Sequence, residues 1–389
     1  MIAAALWLTA TTVFADDRAE MTKVKTPKQA EAYIAKYGIN RQVGTGMTLL
    51  HFAAYNTDLK MVKFLLSKGA DPNMATEDGC GPLSTVTAEP GFEILKVLVE
   101  AGANASYLCN VSSATAGRTI MRDLFMHNWY AKTDITPILG YLKDKGLNMN
   151  HADAFGQNIL FYGWEGATLK YTQMMLPKLV ALGVNVNHRD RDGATPLIAS
   201  ASGEYGQQRA MEILVELGAD INLQNKHGRT ALHMATISTP FRPAIFKKLL
   251  EFGANTNLKD NEGETPLFTL VSKGNSEAIK LILAKGADVD VRRNDGKSVL
   301  EYAVVVKANR AKTLPYLLPA SKNIDAPDSK GDTLLMKAAM LDQLDVVKWL
   351  VENGANMNVK NQYNATPLQI AKMNKYESIV RYLTSKGAE

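Results

Sequence analysis

The sequence has few of the residues and patterns that mark an enzyme or a metal site. Its 389 residues include two cysteines and six histidines, and the histidines do not recur at the spacing typical of zinc ligands. No Gly-x-Ser-x-Gly segment is present, so the commonest signature of an exposed serine nucleophile is missing. We therefore expect no enzymatic activity, no cofactor and no bound metal.

One segment superficially matches a phosphate-binding loop. Gly296-Lys297-Ser298 has the end of that motif, but the earlier glycine that the motif requires is Val291 in this chain. The same segment fits the register of a repeat described below. We interpret it as a turn followed by a helix cap.

The charges do not form the basic face that nucleic-acid binding requires. The formal net charge is +5, and acidic and basic residues are interspersed along the sequence. Aspartates lie close to the four arginines that fall at predicted turns, which are Arg189, Arg191, Arg292 and Arg293. A nucleic-acid binder normally carries a basic patch on one face. We therefore expect no nucleic-acid partner.

The first fifteen residues differ from the rest of the chain. Residues 2–14 are mostly apolar but too few for a transmembrane helix, and Val13 and Ala15 are small residues at the positions that a signal peptidase inspects. We predict a signal peptide over 1–15, a periplasmic or secreted protein and no membrane insertion after cleavage. Since no Lys or Arg precedes the apolar run, an apolar start of a cytosolic protein is the alternative. A start at Met21 would give a leaderless cytosolic form.

A similar segment recurs ten times after residue 43. Each copy has a turn ending in Gly, then Thr-Pro-Leu or a relative, then Gly-Ala-Asp or Gly-Ala-Asn. The threonine or its replacement marks repeats one to ten: Thr48, Gly81, Thr119, Asn158, Thr195, Thr230, Thr265, Ser298, Thr333 and Thr366. Successive markers are 33, 38, 39, 37, 35, 35, 33, 35 and 33 residues apart. This period predicts a stacked repeat array, which is typical of binding surfaces.

The signature residues suit defined positions in a helix–turn–helix unit. Threonine is a favoured N-cap, and Pro196 and Pro266 follow at the first helical position, where a missing N–H costs little. Apolar residues then return at helical spacing, as Val62 and Leu65 do. A glycine such as Gly286 ends the second helix in a left-handed conformation. Asp-Gly pairs before the next marker predict tight hairpins.

The repeat resembles the ankyrin repeat, whose signature is Thr-Pro-Leu-His-x-Ala. Thr230-Ala231-Leu232-His233-Met234-Ala235 and Thr48-Leu49-Leu50-His51-Phe52-Ala53 approach that signature, and the resemblance covers roughly residues 26–389. It implies an all-α ankyrin-repeat solenoid of about ten helix-turn-helix repeats with β-hairpin-like connections. It also implies a structural hydrogen-bonding role for His51 and His233. We assign 16–43 to an N-terminal segment with a capping half-repeat and 44–389 to the array, with repeats three, four and eight divergent.

The resemblance implies a protein partner rather than a substrate. In ankyrin arrays the hairpin tips and first helices line the binding face, and here those positions include Tyr55, Lys330, Met340, Leu341, Lys360, Tyr363 and Met373. The chain is similar to exported bacterial ankyrin-repeat proteins of the immunity or inhibitor type. We expect a monomer that binds one protein, such as a secreted toxin or effector enzyme. The alternatives are an envelope scaffold and a host-directed effector.

The divergent repeats contain most of the candidate partner-binding residues. Aromatic residues in repeats three and four either fill a wider core or form interface hot spots. We assign Phe125, Phe161 and Tyr171 to the core. The predicted binding residues are Trp129, Tyr130, Tyr162 and Trp164, the loop residues Tyr205 and Phe241, which we expect to be exposed, and the four arginines named above. Pro315 lies inside the expected second helix of repeat eight, where it interrupts the hydrogen-bond ladder, and we expect a local bend or a shift in curvature there.

The two cysteines lie one repeat apart. Cys80 is beside the turn of repeat two, and Cys109 is in the extended return toward repeat three. Adjacent hairpins of a stacked array are close neighbours, and an oxidising compartment would permit a disulfide between them. The alternative is two independent small residues, and the sequence leaves both interpretations open.

Overall fold

A computed structural model of the protein describes residues 19–110, 116–128, 131–162, 169–202, 208–305 and 309–389. The predicted signal peptide lies outside the described residues, as do Trp129, Tyr130, Trp164 and Tyr205. The chain divides into two compact units. The first extends to Asp192 and includes Glu216–Gly218, and the second comprises Gly193–Val215 and Ala219–Glu389.

The first unit contains the capping helix and repeats one to four. Its α-helices are α1 (Pro27–Tyr37), α2 (Leu49–Tyr55), α3 (Leu59–Ser67), α4 (Phe92–Glu100), α5 (Ile120–Asn128), α6 (Thr136–Asp144) and α7 (Leu169–Ala181). Two 3-10 turns, Pro82–Thr85 and Ile159–Phe161, occupy the first-helix positions of repeats two and four. The short strands β1 (Cys109–Asn110) and β2 (Ala116–Arg118) pair antiparallel.

Repeats five to ten supply the helices of the second unit, in pairs. The first helices are α8 (Pro196–Ser202), α10 (Ala231–Ile237), α12 (Pro266–Lys273), α14 (Val299–Val305), α16 (Leu334–Met340) and α18 (Pro367–Met373). The second helices are α9 (Gln208–Glu216), α11 (Pro243–Glu251), α13 (Ser276–Leu283), α15 (Arg310–Leu317), α17 (Leu344–Glu352) and α19 (Glu377–Ser385). A 3-10 turn, Leu318–Ala320, follows α15.

Thr48, Thr230, Thr333 and Thr366 cap their first helices through the side chain as predicted, whereas Thr265 stands at the N-cap position without a side-chain capping bond. The Thr230 side chain accepts a hydrogen bond from the His233 amide, and His233 Nδ1 accepts from the Thr230 amide at 3.2 Å. Because Nδ1 is an acceptor, the proton lies on Nε2, which donates to the Glu264 carbonyl of the next repeat at 3.1 Å. Thr48 and His51 form the same pair, and His51 reaches the Cys80 carbonyl at 3.2 Å. The signature histidines therefore join consecutive repeats.

An asparagine ladder joins consecutive repeats just after the C-terminal ends of their second helices. Asn257 Nδ2 donates to the Gly286 carbonyl at 3.0 Å, and Asn257 Oδ1 accepts from the Asp288 amide at 2.8 Å. Asn73 makes the same contacts to Gly102 and Asn104 in the first unit. These bonds satisfy main-chain groups at helix ends that would otherwise lack partners.

The structure corrects one prediction about helix boundaries. Repeat two was expected to be regular, but its first helix is only the 3-10 turn Pro82–Thr85, because the β-branched Val86 and Thr87 and then Pro90 follow it. Pro315 lies inside the second helix of repeat eight, as expected, and α15 ends two residues later at Leu317, followed by a 3-10 turn.

Candidate protein-binding surface

The hairpin tips of the second unit stack on one another through main-chain hydrogen bonds. The Asn261 amide donates to the His227 carbonyl at 3.0 Å, and the Asn294 amide donates to the Glu262 carbonyl at 3.1 Å. The Gln362 amide continues the series to the Lys330 carbonyl at 3.1 Å. The tips are therefore held at fixed positions relative to their neighbours within this unit.

The first helices of the second unit form a row beside these tips. Each packs against the first helix of the next repeat, from α8 through α18. Side chains of one repeat also cap the preceding first helix, since Lys273 Nζ donates to the Thr236 and Ile237 carbonyls, both at 2.7 Å. Asn309 Nδ2 donates to the Ser272 carbonyl at 2.6 Å. The row and the tips together give a preorganised surface.

Two of the predicted arginines are engaged within the array. Arg292 Nη1 lies 2.9 Å from Glu301 Oε2 and donates to the Gly296 carbonyl at 2.8 Å. Arg293 Nη1 lies 2.7 Å from Glu264 Oε1. Both arginines are half-buried. Their charges are neutralised by neighbouring carboxylates, so each presents only part of its side chain to a partner.

The other two predicted arginines are exposed in the first unit. Arg189 and Arg191 both lie on the surface near its end. The Arg191 main-chain amide donates to the Phe155 carbonyl at 2.9 Å, and Phe155 is itself 49% exposed. This tip therefore places charged side chains of both signs, including Arg191 and Asp192, beside an apolar ring.

The described aromatic candidates are partly committed to the fold. Tyr162 is half-buried, its hydroxyl hydrogen-bonds Asp153 Oδ2, and the Arg122 guanidinium lies 5.0 Å from its ring centroid. The expectation that Phe241 is exposed is wrong, because its ring packs 5.6 Å from that of Phe246 and is half-buried. Phe125, Phe161 and Tyr171 are buried, as predicted for core residues.

A buried polar cluster lies beside the two cysteines in repeat three. Asp123 is 2% exposed, accepts from the Tyr107 hydroxyl at 2.9 Å and lies 3.5 Å from Arg118 Nε. Burial raises the pKa of Asp123 and raises the pKa of Tyr107 well above its ordinary value. Arg118 Nη2 also lies 3.9 Å from Cys80 Sγ. The cluster therefore places the buried carboxylate of Asp123 between a phenol and a guanidinium.

Cys80 and Cys109 are joined in the structure, with Cα atoms 4.8 Å apart. That separation is within the range of protein disulfides. Cys109 is fully buried, whereas Cys80 is half-buried. The hairpins of repeats two and three thus bring the two cysteines together, an arrangement that the sequence had left open beside two independent residues.

Sequence reasoning did not identify the charged cluster of repeats eight and nine. Glu301 has a side chain only 8% exposed, and it contacts Arg292 and Lys337. Lys337 also lies 2.8 Å from Asp328 Oδ2. The available signal was Glu301 at the place where His51 and His233 stand in their repeats. The histidines donate to a main-chain carbonyl of the next repeat, which a carboxylate cannot do. Glu301 is instead paired with cationic side chains.

Within the ranges that the structure describes, His, Cys, Asp and Glu side chains form no group that could hold a metal ion. In the same part of the chain, no helix combines the length and apolar character needed to cross a membrane.

Comparison with known proteins identifies the repeat. A family model described as ankyrin repeats in three copies matches residues 22–109, 167–255, 241–328 and 304–389. The chain is 34% identical over 123 residues to the B-cell lymphoma 3 protein homolog of Mus musculus, which covers 31% of this chain and 27% of that protein. It is 29% identical over 122 residues to alpha-latrotoxin-Lg1a of Latrodectus geometricus, which covers 31% of this chain and 9% of that protein.

A viral protein gives a similar match. The ankyrin repeat protein OPG189 of Variola virus is 29% identical over 114 residues, which covers 29% of this chain and 20% of that protein. The chain thus spans less than a third of the length of these relatives. Since the family model matches well over half of the chain, the chain belongs to the ankyrin-repeat family and is a protein–protein interaction module.

Proposed function

We propose that the protein is an exported, non-enzymatic binding module that holds one protein partner and neutralises it, as a periplasmic immunity or inhibitor protein does. The observation that carries this proposal is the preorganised surface of stacked tips and first helices. Inter-repeat bonds such as those of His233 to Glu264 and Lys273 to Ile237 fix its parts before binding. Little conformational entropy is then lost on association, which suits tight inhibition.

Two features support export. The segment 1–15 has the apolar pattern of a signal peptide. Cys80 and Cys109 are positioned for a disulfide, and such bridges persist in oxidising compartments such as the periplasm. The proposed partner is a toxic enzyme acting in or passing through that compartment.

The test is a pull-down with the array from residue 16 as bait, using an envelope fraction. We expect recovery of one enzyme that is lethal when expressed alone and harmless when the array is co-expressed. Recovery of only a housekeeping enzyme whose activity is unchanged or increased would instead favour an envelope scaffold. Capture of a protein from a host cell and none from the envelope would favour a host-directed effector.

The predicted hot spots can be tested on the same complex. Trp129→Ala and Trp164→Ala are each expected to raise the Kd by at least about tenfold, because aromatic anchors supply much of the contact energy. Phe252→Ala is the control, since Phe252 is an exposed aromatic residue directly after the second helix α11. An unchanged Kd in both Trp variants, with native circular dichroism, would remove these residues from the binding site.

A further inference from the structure

Exposed apolar side chains are concentrated in repeats nine and ten. Among the large apolar residues of the second unit that the structure describes as exposed, four lie there: Met340 (37%), Leu341 (44%), Tyr363 (71%) and Met373 (78%). None belongs to a second helix. Exposed apolar side chains grouped on neighbouring repeats in this way commonly mark an interaction surface.

These four residues belong to the tips and first helices of neighbouring repeats. Met340 and Met373 are the last residues of α16 and α18, which pack against each other. Leu341 caps α16. Tyr363 lies at the tip whose Gln362 amide bonds the Lys330 carbonyl of the preceding tip. We call Met340, Leu341, Tyr363 and Met373 the C-terminal strip.

The register relates the strip to the other repeats. Met340 and Met373 each lie seven residues after a marker, where repeat five has Ser202 and repeat seven has Ser272. Repeat one has the exposed Tyr55 at this position, and repeat six has Ile237. Methionine is unbranched and polarizable, so it adapts to the shape of an apolar partner. The two methionines of the strip therefore offer flexible apolar contacts in adjacent repeats.

The charge around the strip is positive. Four exposed lysines lie on the tips and first helices of these repeats or directly beside them: Lys330, Lys360, Lys372 and Lys375. None of them forms an ion pair with another described residue, unlike Lys337, whose charge is neutralised by Glu301 and Asp328. Asp342 is the exposed carboxylate next to Leu341, and Glu377 begins the second helix α19. A carboxylate-rich partner is favoured by this balance.

We propose that the C-terminal strip binds an acidic amphipathic segment of a partner protein, with apolar side chains against the two methionines and carboxylates beside the lysines. A helix with apolar residues at i, i+3, i+4 and i+7 and acidic residues elsewhere has this chemistry. This inference rests on the proposed binding function and names the part of the surface and the class of segment that it recognises.

The first test uses the full chain and two synthetic peptides of about 18 residues. One has leucines at helical spacing and glutamates elsewhere, and the other has lysines in place of the glutamates. Fluorescence anisotropy should show saturable binding of the acidic peptide with a Kd at least about tenfold below that of the basic one. Equal or tighter binding of the basic peptide, or no saturable binding of either, overturns the proposal.

Paired variants locate the site. Met340→Ser with Met373→Ser should raise the Kd for the acidic peptide by at least about tenfold. Leu281→Ser, at an exposed leucine of the second helix α13, should leave that Kd unchanged. Lys360→Glu with Lys372→Glu should also weaken binding of the acidic peptide. Lys247→Glu on α11, with a side chain 64% exposed, is the charge control. Equal effects of variants and controls overturn the proposal.

Two further outcomes separate this inference from the proposed function. If the Met340→Ser and Met373→Ser chain captures the same partner from the envelope as strongly as the native chain, the inference fails and the binding function stands. If the native chain dimerises and these changes abolish dimerisation, a second copy occupies the strip and the inference also fails. If the native chain captures no partner at all, the proposed function itself fails.

Discussion

Glu301 accepts a hydrogen bond from Arg292 at 2.9 Å across the turn of repeat eight. The same carboxylate accepts from the Ser298 amide at 3.0 Å and contacts Lys337 of repeat nine. One nearly buried negative charge thus caps α14, fixes the hairpin and joins two repeats. The cationic partners compensate for its loss of hydration.

Glu301→Ala should destabilise repeats eight and nine by about 1–3 kcal/mol, because Arg292 and Lys337 each lose a charged hydrogen-bond partner. Glu301→Gln should cost less, since its amide oxygen still accepts from Ser298. The measurement is amide hydrogen exchange in α14 and α16, since long arrays need not unfold in one step. Glu277→Ala is the control: its side chain is 79% exposed and pairs with Lys280, so a loss below about 1 kcal/mol is expected.

The buried signature histidines should make stability depend on pH. Burial lowers the pKa of His51 and of His233, and in each ring Nδ1 accepts from a threonine amide and so must stay unprotonated. The unfolded state, with a histidine pKa of about 6.5, binds the proton more readily. Stability is therefore full above about pH 6.5 and falls as the pH drops toward the lower folded-state pKa, by at most about 1.4 kcal/mol per pH unit for each histidine.

His51→Gln with His233→Gln should reduce this dependence. Glutamine suits the position, because Gln369 accepts from the Thr366 amide at 2.9 Å in repeat ten. Urea midpoints at pH 7.5 and pH 5 should differ less in this variant than in the native chain. His227→Gln, at an exposed tip, should keep the native difference. Identical pH dependence in the double variant and the native chain would show that other groups cause it.

The asparagine ladder should contribute measurable stability although it lies at the surface. Asn257→Ala removes an acceptor for Asp288 and a donor to Gly286, and about 1–2 kcal/mol should be lost between repeats six and seven. Exchange of the Asp288 amide should accelerate most. Asn323→Ala in an exposed part of repeat eight is the comparison, since no side-chain hydrogen bond of Asn323 is seen among the described residues. Equal losses in both variants would contradict a specific role for the ladder.

The sequence predicted the features that depend on local chemistry. A threonine followed by proline, as at Thr366-Pro367, sets a helix start within one turn, and the structure has α18 beginning there. The repeat register also placed Cys80 and Cys109 on neighbouring hairpins. Both predictions use short-range rules together with one known period.

Contacts between repeats were harder to predict. Glu301 and Lys337 are 36 residues apart, and only the stacked geometry shows that they meet. The 3-10 turn Pro82–Thr85 replaced an expected helix although Pro90 already signalled an early end. The prediction gave more weight to the repeat signature than to Pro90. In the structure the helix ends early, as Pro90 indicates.

The bridge between Cys80 and Cys109 gives a test of both stability and compartment. It closes a loop across a sequence separation of 29 residues, so its loss should cost about 2–4 kcal/mol in repeats two and three. Protein purified from the exported fraction should have a mass two hydrogen atoms below that of the reduced chain, and a reductant should lower its urea midpoint. Cys80→Ser with Cys109→Ser should have the urea midpoint of the reduced protein, and the reductant should not change it. Two free thiols in exported protein would contradict the bridge, because the partly accessible Cys80 would then have remained reduced in an oxidising compartment.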